Sequence, residues 1–334
     1  MYHRVMELTC DPWQLCVSPV NFEQQMRVIK KYARPVQMRE MGKNLKNSSL
    51  GRKEIVVTFD DGYADNFHNA RPVLERYGIP ATFFIVSGAV GCREEYWWDE
   101  LERTLLAAGA LPAVFESTIA GIKYCWRINS DGRQKTLNDG EGITSIPENN
   151  ALLSSDGLYF TLWKILGNLS SQEQKEALRQ IGQWAGRSSG PRPDYLPMTA
   201  EELKSLASSP LFEIGAHTVR HPMLSRLSGE EQEKEIARSK CDLENITKQP
   251  ITSFSYPFGN YSRETPAIVA RSKFQSACTT EGRPVIRDAD PYLLPRFTVL
   301  NWNGDQFEHH LRKWLACPDE ITEEKQNGST IQEN

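Results

Sequence analysis

The chain has no long apolar run, no paired cysteines and no excess of one charge. Nowhere in its 334 residues do apolar side chains approach the ~18 in a row that a membrane-spanning helix needs. Its seven cysteines, Cys10, Cys16, Cys92, Cys125, Cys241, Cys278 and Cys317, are odd in number, scattered, and form no C-x-x-C pair. That argues against a disulfide framework and a zinc ribbon, and it fits a reducing compartment. A formal net charge of -4 gives no electrostatic reason to expect nucleic acid as a partner. The opening MYHRVMELTCDPW has no basic segment leading into an apolar one. No signal peptide is therefore visible, and a cytoplasmic location is expected. There is no internal repeat. What is present, 39% hydrophobic and 25% charged residues, is the composition of an ordinary globular protein.

Hydrophobic patterning places the elements. Glu54–Asp60 (EIVVTFD) reads as a strand, Asp65–Tyr77 as a helix with Pro72 at a kink or first turn, and Ala81–Val86 (ATFFIV) as a second strand. Strand, helix, strand with short links is a βαβ unit, so these two strands are expected to be parallel. Helical spacing returns at Trp98–Ala108 and Phe160–Trp184, and Ala113–Arg127 alternates like a hairpin. Ser130–Asp156 is polar and reads as an exposed excursion. Residues 99–195 are therefore expected to be an insertion in a domain spanning 1–316, with a disordered tail over 317–334. The core resumes with strands at Leu211–Ala216, Ile251–Ser255, Phe274–Cys278 and Arg296–Leu300. Helices are expected at Ser228–Ile246, opened by a Ser228–Glu231 capping box, and at Thr265–Arg271.

Three polar clusters follow three of these strands: Asp60-Asp61-Gly62, His217 to His221-Pro222, and Tyr256-Pro257-Phe258-Gly259. Ligands of parallel α/β sheets and barrels bind at the carboxyl ends of the strands, so the clusters are expected to share one mouth. Pro222 disfavours a helix at His221, so the two histidines belong on a turn. Alternation would turn Asp60 and Asp61 to different sides, one toward a metal and the other free for proton transfer. Two imidazoles and one carboxylate leave a tetrahedral ion such as Zn2+ one open position, where a bound water approaches a pKa of ~7. The Tyr256–Gly259 turn offers an aromatic wall and backbone N–H groups for a developing oxyanion. Trp98, heading a helix, could stack on a bound ring or simply pack. His68, His309 and His310 read as structural or surface residues.

The run TFDDG over 58–62, followed by H-T-x-x-H-P over 217–222, resembles the first two motifs of the NodB-homology polysaccharide deacetylases, carbohydrate esterase family 4. His3, the Y-P-F-G turn, Leu294-Pro295-Arg296 and Trp97-Trp98-Asp99 are similar to the bacterial branch associated with surface-polysaccharide synthesis. The resemblance implies an irregular (β/α)7-type barrel. It implies Asp60 as general base, Asp61, His217 and His221 as ligands of a divalent metal (Zn2+, with Co2+, Ni2+ or Mn2+ as alternatives), and the Phe258 N–H at the oxyanion. The implied reaction is hydrolysis of N-acetyl groups on a saccharide. Two departures stand out: Ser255 occupies the place where many members carry an arginine that orients the base, and no Leu-x-His triplet supplies a late histidine acid. Arg296 is the candidate to replace that arginine. The alternatives are a hydrolase of small cyclic amides or imides on the same scaffold, and a carbohydrate-binding pseudoenzyme.

Overall fold

The apolar runs become the strands of one parallel sheet. A computed structural model describes residues 1–47, 49, 51, 53–107, 109–129, 146–187 and 190–316. β1 (Val57–Phe59), β2 (Ala81–Ile85), β3 (Phe212–Ala216), β4 (Ser253–Ser255) and β5 (Ser276–Cys278) lie side by side in chain order. Every neighbouring pair is parallel. Every residue in the five strands is buried. Burial on both faces is what permits near-continuous apolar runs instead of strict alternation. Phe59 stacks on Phe83 at 4.7 Å, and Phe83 meets Phe212 edge-on at 5.5 Å, tying three strands together.

The sheet curls past its edges. Tyr2 bridges in parallel to Phe59 beside β1, and Leu294 bridges to Cys278 beside β5. The Val299 N–H donates to the Met1 carbonyl at 3.0 Å, so segment 294–299 reaches both edges. The architecture is α/β with a curled parallel sheet, of the irregular barrel type expected. Arg296–Leu300 is not the regular strand expected: Pro295 has no N–H to give a ladder, and the Arg296 N–H donates to Glu281 instead, at 3.0 Å.

The helices follow their punctuation. Gly229–Thr247 begins with the Ser228–Glu231 capping box. The segment expected as one helix over Asp65–Tyr77 is a π turn, Asn66–Ala70, followed by a helix, Arg71–Tyr77, with Pro72 in its first turn. A helix not anticipated, Pro19–Tyr32, starts from Ser18, whose hydroxyl accepts the Asn21 N–H.

The segment expected as an insertion packs around a second apolar cluster that includes Leu101, Phe115, Trp126, Tyr159 and Ile181. Val114–Ile119 and Ile122–Asn129 form the expected antiparallel hairpin, and Leu152–Ser154 adds to it in parallel. The single helix expected over Phe160–Trp184 is two, Ser155–Leu166 and Ser171–Ala185. The break arises because Ser170 caps the second helix in a capping box with Glu173. Most of the expected polar excursion, 130–145, and the tail 317–334 with Cys317 lie outside the described residues. The other six cysteines are free. No helix among the described residues is long and apolar enough to cross a membrane.

Candidate metal centre

All three polar clusters sit at the carboxyl ends of β1, β3 and β4. In β1 and β4 alternation decides what faces the barrel interior. Thr58 and Asp60 point inward from the β1 side, and Ser253 and Ser255 from β4, where they meet Arg296 and Glu213. Asp61 would alternate away, but its backbone is left-handed at φ 73, which turns its carboxylate toward the histidines. His221 (φ 60) and Phe258 (φ 57) are left-handed too. For side chains other than glycine that conformation costs roughly 1–2 kcal/mol each, and it persists where the surroundings over-determine it.

Asp61, His217 and His221 present three ligand atoms to one point. The two Nε2 atoms are 3.2 Å apart. Asp61 Oδ1 lies 3.5 Å from His217 Nε2 and 3.3 Å from His221 Nε2. A tetrahedral ion with bonds of about 2.0–2.1 Å separates its ligands by about 3.3–3.4 Å, so the spacing fits one such ion. All three residues are buried. His217 Nδ1 sits 2.7 Å from the Ser255 carbonyl. That contact requires the Nδ1–H tautomer and leaves the Nε2 lone pair facing the cluster. Burial pushes the His221 imidazole below its ordinary value against the pull of Asp61, which favours the neutral, ligating form. Burial alone would raise the Asp61 carboxyl, but the imidazoles of His217 and His221 beside it outweigh burial and hold it well below the usual range.

Asp60 faces a different partner. Arg296 grips it in a fork: Nη1 to Oδ1 and Nη2 to Oδ2, both 2.7 Å. The remaining donors of the guanidinium are used as well, Nη2 to Ser255 Oγ at 2.7 Å, Nη1 to Thr58 Oγ1 at 3.1 Å and Nε to the Thr279 carbonyl at 3.0 Å. Ser255 Oγ also donates to Asp60 Oδ2 at 3.1 Å. Ser255 therefore touches both the free carboxylate, through its hydroxyl, and His217, through its carbonyl. Burial works to raise the Asp60 carboxyl, and the charge and hydrogen bonds of Arg296 overcome it, so the group lies well below the ordinary carboxylate range.

Aromatic rings line the rim. Phe258 lies edge-on to the His221 ring at 4.4 Å, and Trp98 lies 4.9 Å from it. The Trp98 indole N–H donates to Tyr63 Oη at 2.8 Å, and Tyr63 in turn donates to Asp99 at 2.7 Å. Burial pushes Asp99 up to about 7, although Arg4 and the Tyr63 hydrogen bond pull it down. Tyr96 Oη donates to the Asp61 carbonyl at 2.6 Å, steadying the left-handed turn. His3, carried beside Tyr2 on the edge of the sheet, lines the same cavity as Asp61, Trp98 and Asp99.

Of the residues singled out from the sequence, the structure brings Asp60, Asp61, His217, His221, Arg296, Phe258 and Trp98 together. Gly259 lies beneath them: its φ is 65, and a Cβ there would come within 2.0 Å of Thr280 Oγ1. Tyr256 is not part of the rim. It continues the outward alternation of Phe254, is fully buried, packs on Phe254 at 5.3 Å, and donates its hydroxyl to the Tyr292 carbonyl. His68 is exposed against Glu202, and His310 stacks on Trp302 at 3.9 Å. Sequence reasoning missed Tyr96 as a support of the centre and could take Tyr63 only as a substrate contact or a packing residue. The only signal for them was the aromatic run Tyr96-Trp97-Trp98 and the tyrosine directly after Gly62.

Comparison with known proteins gives the same picture from another direction. The protein YxkH of Bacillus subtilis (strain 168) is 22% identical over 247 residues, which are 74% of this chain and 52% of that protein. The poly-beta-1,6-N-acetyl-D-glucosamine N-deacetylase of Staphylococcus aureus (strain MSSA476) is 34% identical over 76 residues, 22% of this chain and 26% of the relative. The chain thus spans about half the length, or less, of these curated relatives. Among solved structures, the Streptococcus pyogenes deacetylase PplD in complex with acetate superposes with a TM-score of 0.57 at 17% identity, covering 95% of this chain and 96% of that one. IcaB from Ammonifex degensii gives 0.57 at 18% identity, covering 94% and 95%. These two likenesses establish the shared fold. The family model described as polysaccharide deacetylase matches residues 47–109 and 148–277, more than half of the length, and the chain belongs to that family.

Proposed function

We propose that the chain hydrolyses N-acetyl groups on a saccharide, with a divalent cation held by Asp61, His217 and His221. The observation that carries this reading is the 3.2–3.5 Å spacing of three buried ligand atoms beside a fourth, differently partnered carboxylate. Two imidazoles and one carboxylate suit Zn2+, with Co2+, Ni2+ or Mn2+ able to occupy the same set. Such an ion would acidify a water and polarise the acetyl carbonyl.

The chain's own groups do the rest. Asp60 stays ionised at neutral pH because Arg296 holds it so. It is placed to take a proton from the attacking water. A carboxylate held this low is a weak base but, once protonated, a strong acid, so it can pass the same proton to the leaving amine. The balance is then complete: water adds to the acetyl carbon, the carbon–nitrogen bond breaks, and acetate and the protonated amine leave, the amine carrying both protons of the water. Arg296 fixes the carboxylate by a two-pronged contact that a lysine could not copy. Phe258, turned by its left-handed backbone, would present its N–H to the carbonyl oxygen.

The test combines metal analysis with acetate release from N-acetylhexosamine substrates. Asp60→Asn should keep the metal and lose at least a hundredfold in turnover, in line with the ~10²–10⁴ contribution of a positioned acid–base group. His217→Ala should lose both. Acetate release that survives Asp60→Asn, or full metal content in His217→Ala, would refute the assignment.

A further inference from the structure

The cavity beside Asp61 is small, about 50 Å³, with His3, Trp98, Asp99 and Trp13 in its lining. Ligand pockets for whole molecules run to about 300 Å³ and more, so this space takes a small group and not a sugar ring. A saccharide bound at the centre must therefore lie across the rim. The rim does not end at Trp98 and Phe258. Phe258 meets Trp163 edge-on at 5.5 Å, and Trp163 meets Trp13 at 4.6 Å. Phe160, one helical turn before Trp163, closes on Trp13 at 5.1 Å.

We infer that Trp13, Phe160 and Trp163 form an outer sugar-binding subsite, so that the substrate is a saccharide of at least two residues. The inference rests on the proposed deacetylase reading and extends it to substrate length. Three features of the rings support it. They come from separate parts of the chain, Trp13 from the loop between strands Arg4–Val5 and Cys16–Val17, Phe160 and Trp163 from helix Ser155–Leu166. They are continuous with the rings on His221. And they are left partly open to solvent: Trp13 is 38% exposed, and it is the one aromatic among the large exposed apolar side chains of the described residues.

The site is also pre-organised. The Trp13 indole N–H donates to Tyr159 Oη at 2.9 Å, which fixes the ring plane before anything binds. Fixing a ring in advance removes an ordering cost from binding. Flat aromatic faces on a rigid support suit a ligand with one apolar face and a wet edge. The faces of pyranose rings, with hydroxyls around the perimeter, have that character. The continuity with the metal centre selects a saccharide chain over an unrelated protein partner, whose docking would have no reason to run into the buried histidines.

The experiment uses the zinc-loaded full chain with N-acetylglucosamine and its β-1,6- and β-1,4-linked tetramers. Acetate release gives kcat/KM for each, and calorimetry with the Asp60→Asn protein gives tetramer affinity without turnover. Wild type should prefer one of the tetramers over the monomer by tenfold or more. Trp163→Ala and Trp13→Ala should each cut that preference, and weaken tetramer binding, by about tenfold, the scale of losing one aromatic anchor. Circular dichroism checks that each variant is folded, and Trp13, being on a loop, is the safer of the two. Equal kcat/KM for monomer and tetramers, or tetramer affinity unmoved in both variants, overturns the subsite. Tetramer binding that depends on Trp13 but yields no acetate from wild type keeps the subsite and removes the deacetylase reading.

Discussion

Replacing Arg296 with methionine leaves the Asp60 carboxylate buried opposite an apolar side chain. Two hydrogen bonds of 2.7 Å to the carboxylate are lost, together with those to Ser255, Thr58 and the Thr279 carbonyl. Removing one partner of a buried ion pair costs about 3–5 kcal/mol. The orphaned carboxylate can relieve part of this by binding a proton, and each pKa unit is worth about 1.4 kcal/mol. A penalty of about 3 kcal/mol thus corresponds to an upward movement of about two units. The signs in the two proteins are opposite. In the native protein the folded carboxyl lies below its unfolded value of ~3.9, so its stabilising contribution is present above that pH and is lost as pH falls through the folded value. In Arg296→Met the folded value lies above the unfolded one, so the penalty is full at high pH and disappears on acidification. The gap in Tm between the two proteins should be widest near about pH 8 and narrow toward about pH 4. The acid limb of acetate release should move up by a unit or more, while bound metal is retained. Arg296→Lys, which keeps charge but not the fork, should fall between. A Tm gap that does not change with pH, with an unmoved acid limb, would refute the assignment of Arg296 as the group that keeps Asp60 ionised.

Two other perturbations test the surroundings of the centre. Asp99, raised to about 7 by burial, binds a proton in the native state that the unfolded chain has already released. Its contribution to stability therefore falls as pH rises from about 4 to about 7, and Asp99→Asn should flatten that part of the Tm profile. An identical slope in the two proteins would count against it. Gly259→Ala meets a left-handed backbone and a contact of 2.0 Å with Thr280 Oγ1. It should lower stability by about 1–2 kcal/mol from the backbone alone, read from denaturant midpoints at unchanged metal content. A neutral result would show that the turn relaxes.

The centre was more legible than the barrel that holds it. Asp60, Asp61, His217 and His221 announce themselves because polar residues directly after apolar strands break a pattern, and because two histidines before a proline have few structural reasons to be there. Arg296 could be paired with Asp60 only through the family resemblance: the two are 236 residues apart, and nothing local encodes that contact. The barrel's closing contacts were invisible for a related reason. Tyr2–Phe59 and Cys278–Leu294 are single bridges, too short to leave any periodicity. The Pro19–Tyr32 helix had its signals, serine at the cap and proline in the first turn, yet its apolar positions are few and spread among charged ones. Tyr256 misled because an aromatic residue after a strand looks like part of a mouth. Alternation settles its direction: Ser255 faces Asp60, so Tyr256 must face the helices, and the left-handed backbone at Phe258 is needed to bring an aromatic ring back.

That backbone feature separates this site from an ordinary set of strand ends. If the segments after β1, β3 and β4 had simply continued with regular geometry, Asp61 would point away from the histidines and Phe258 away from His221. Four left-handed residues other than glycine, at 61, 218, 221 and 258, carry the convergence. Their combined cost is roughly 4–8 kcal/mol, comparable to half or more of a typical folding free energy. The contacts that hold them are specific to the place: Tyr96 on the Asp61 carbonyl, Thr218 Oγ1 on the His221 N–H, and the Trp98 and His221 rings on Phe258. Tyr96 caps and Trp98 opens the helix Trp97–Leu106, which leads into residues 99–195. The start of that helix therefore does more than cover the barrel: its Tyr96 and Trp98 hold the Asp61 and Phe258 backbones in their left-handed turns, and the aromatic face continues outward from Phe258 through Trp163 to Trp13.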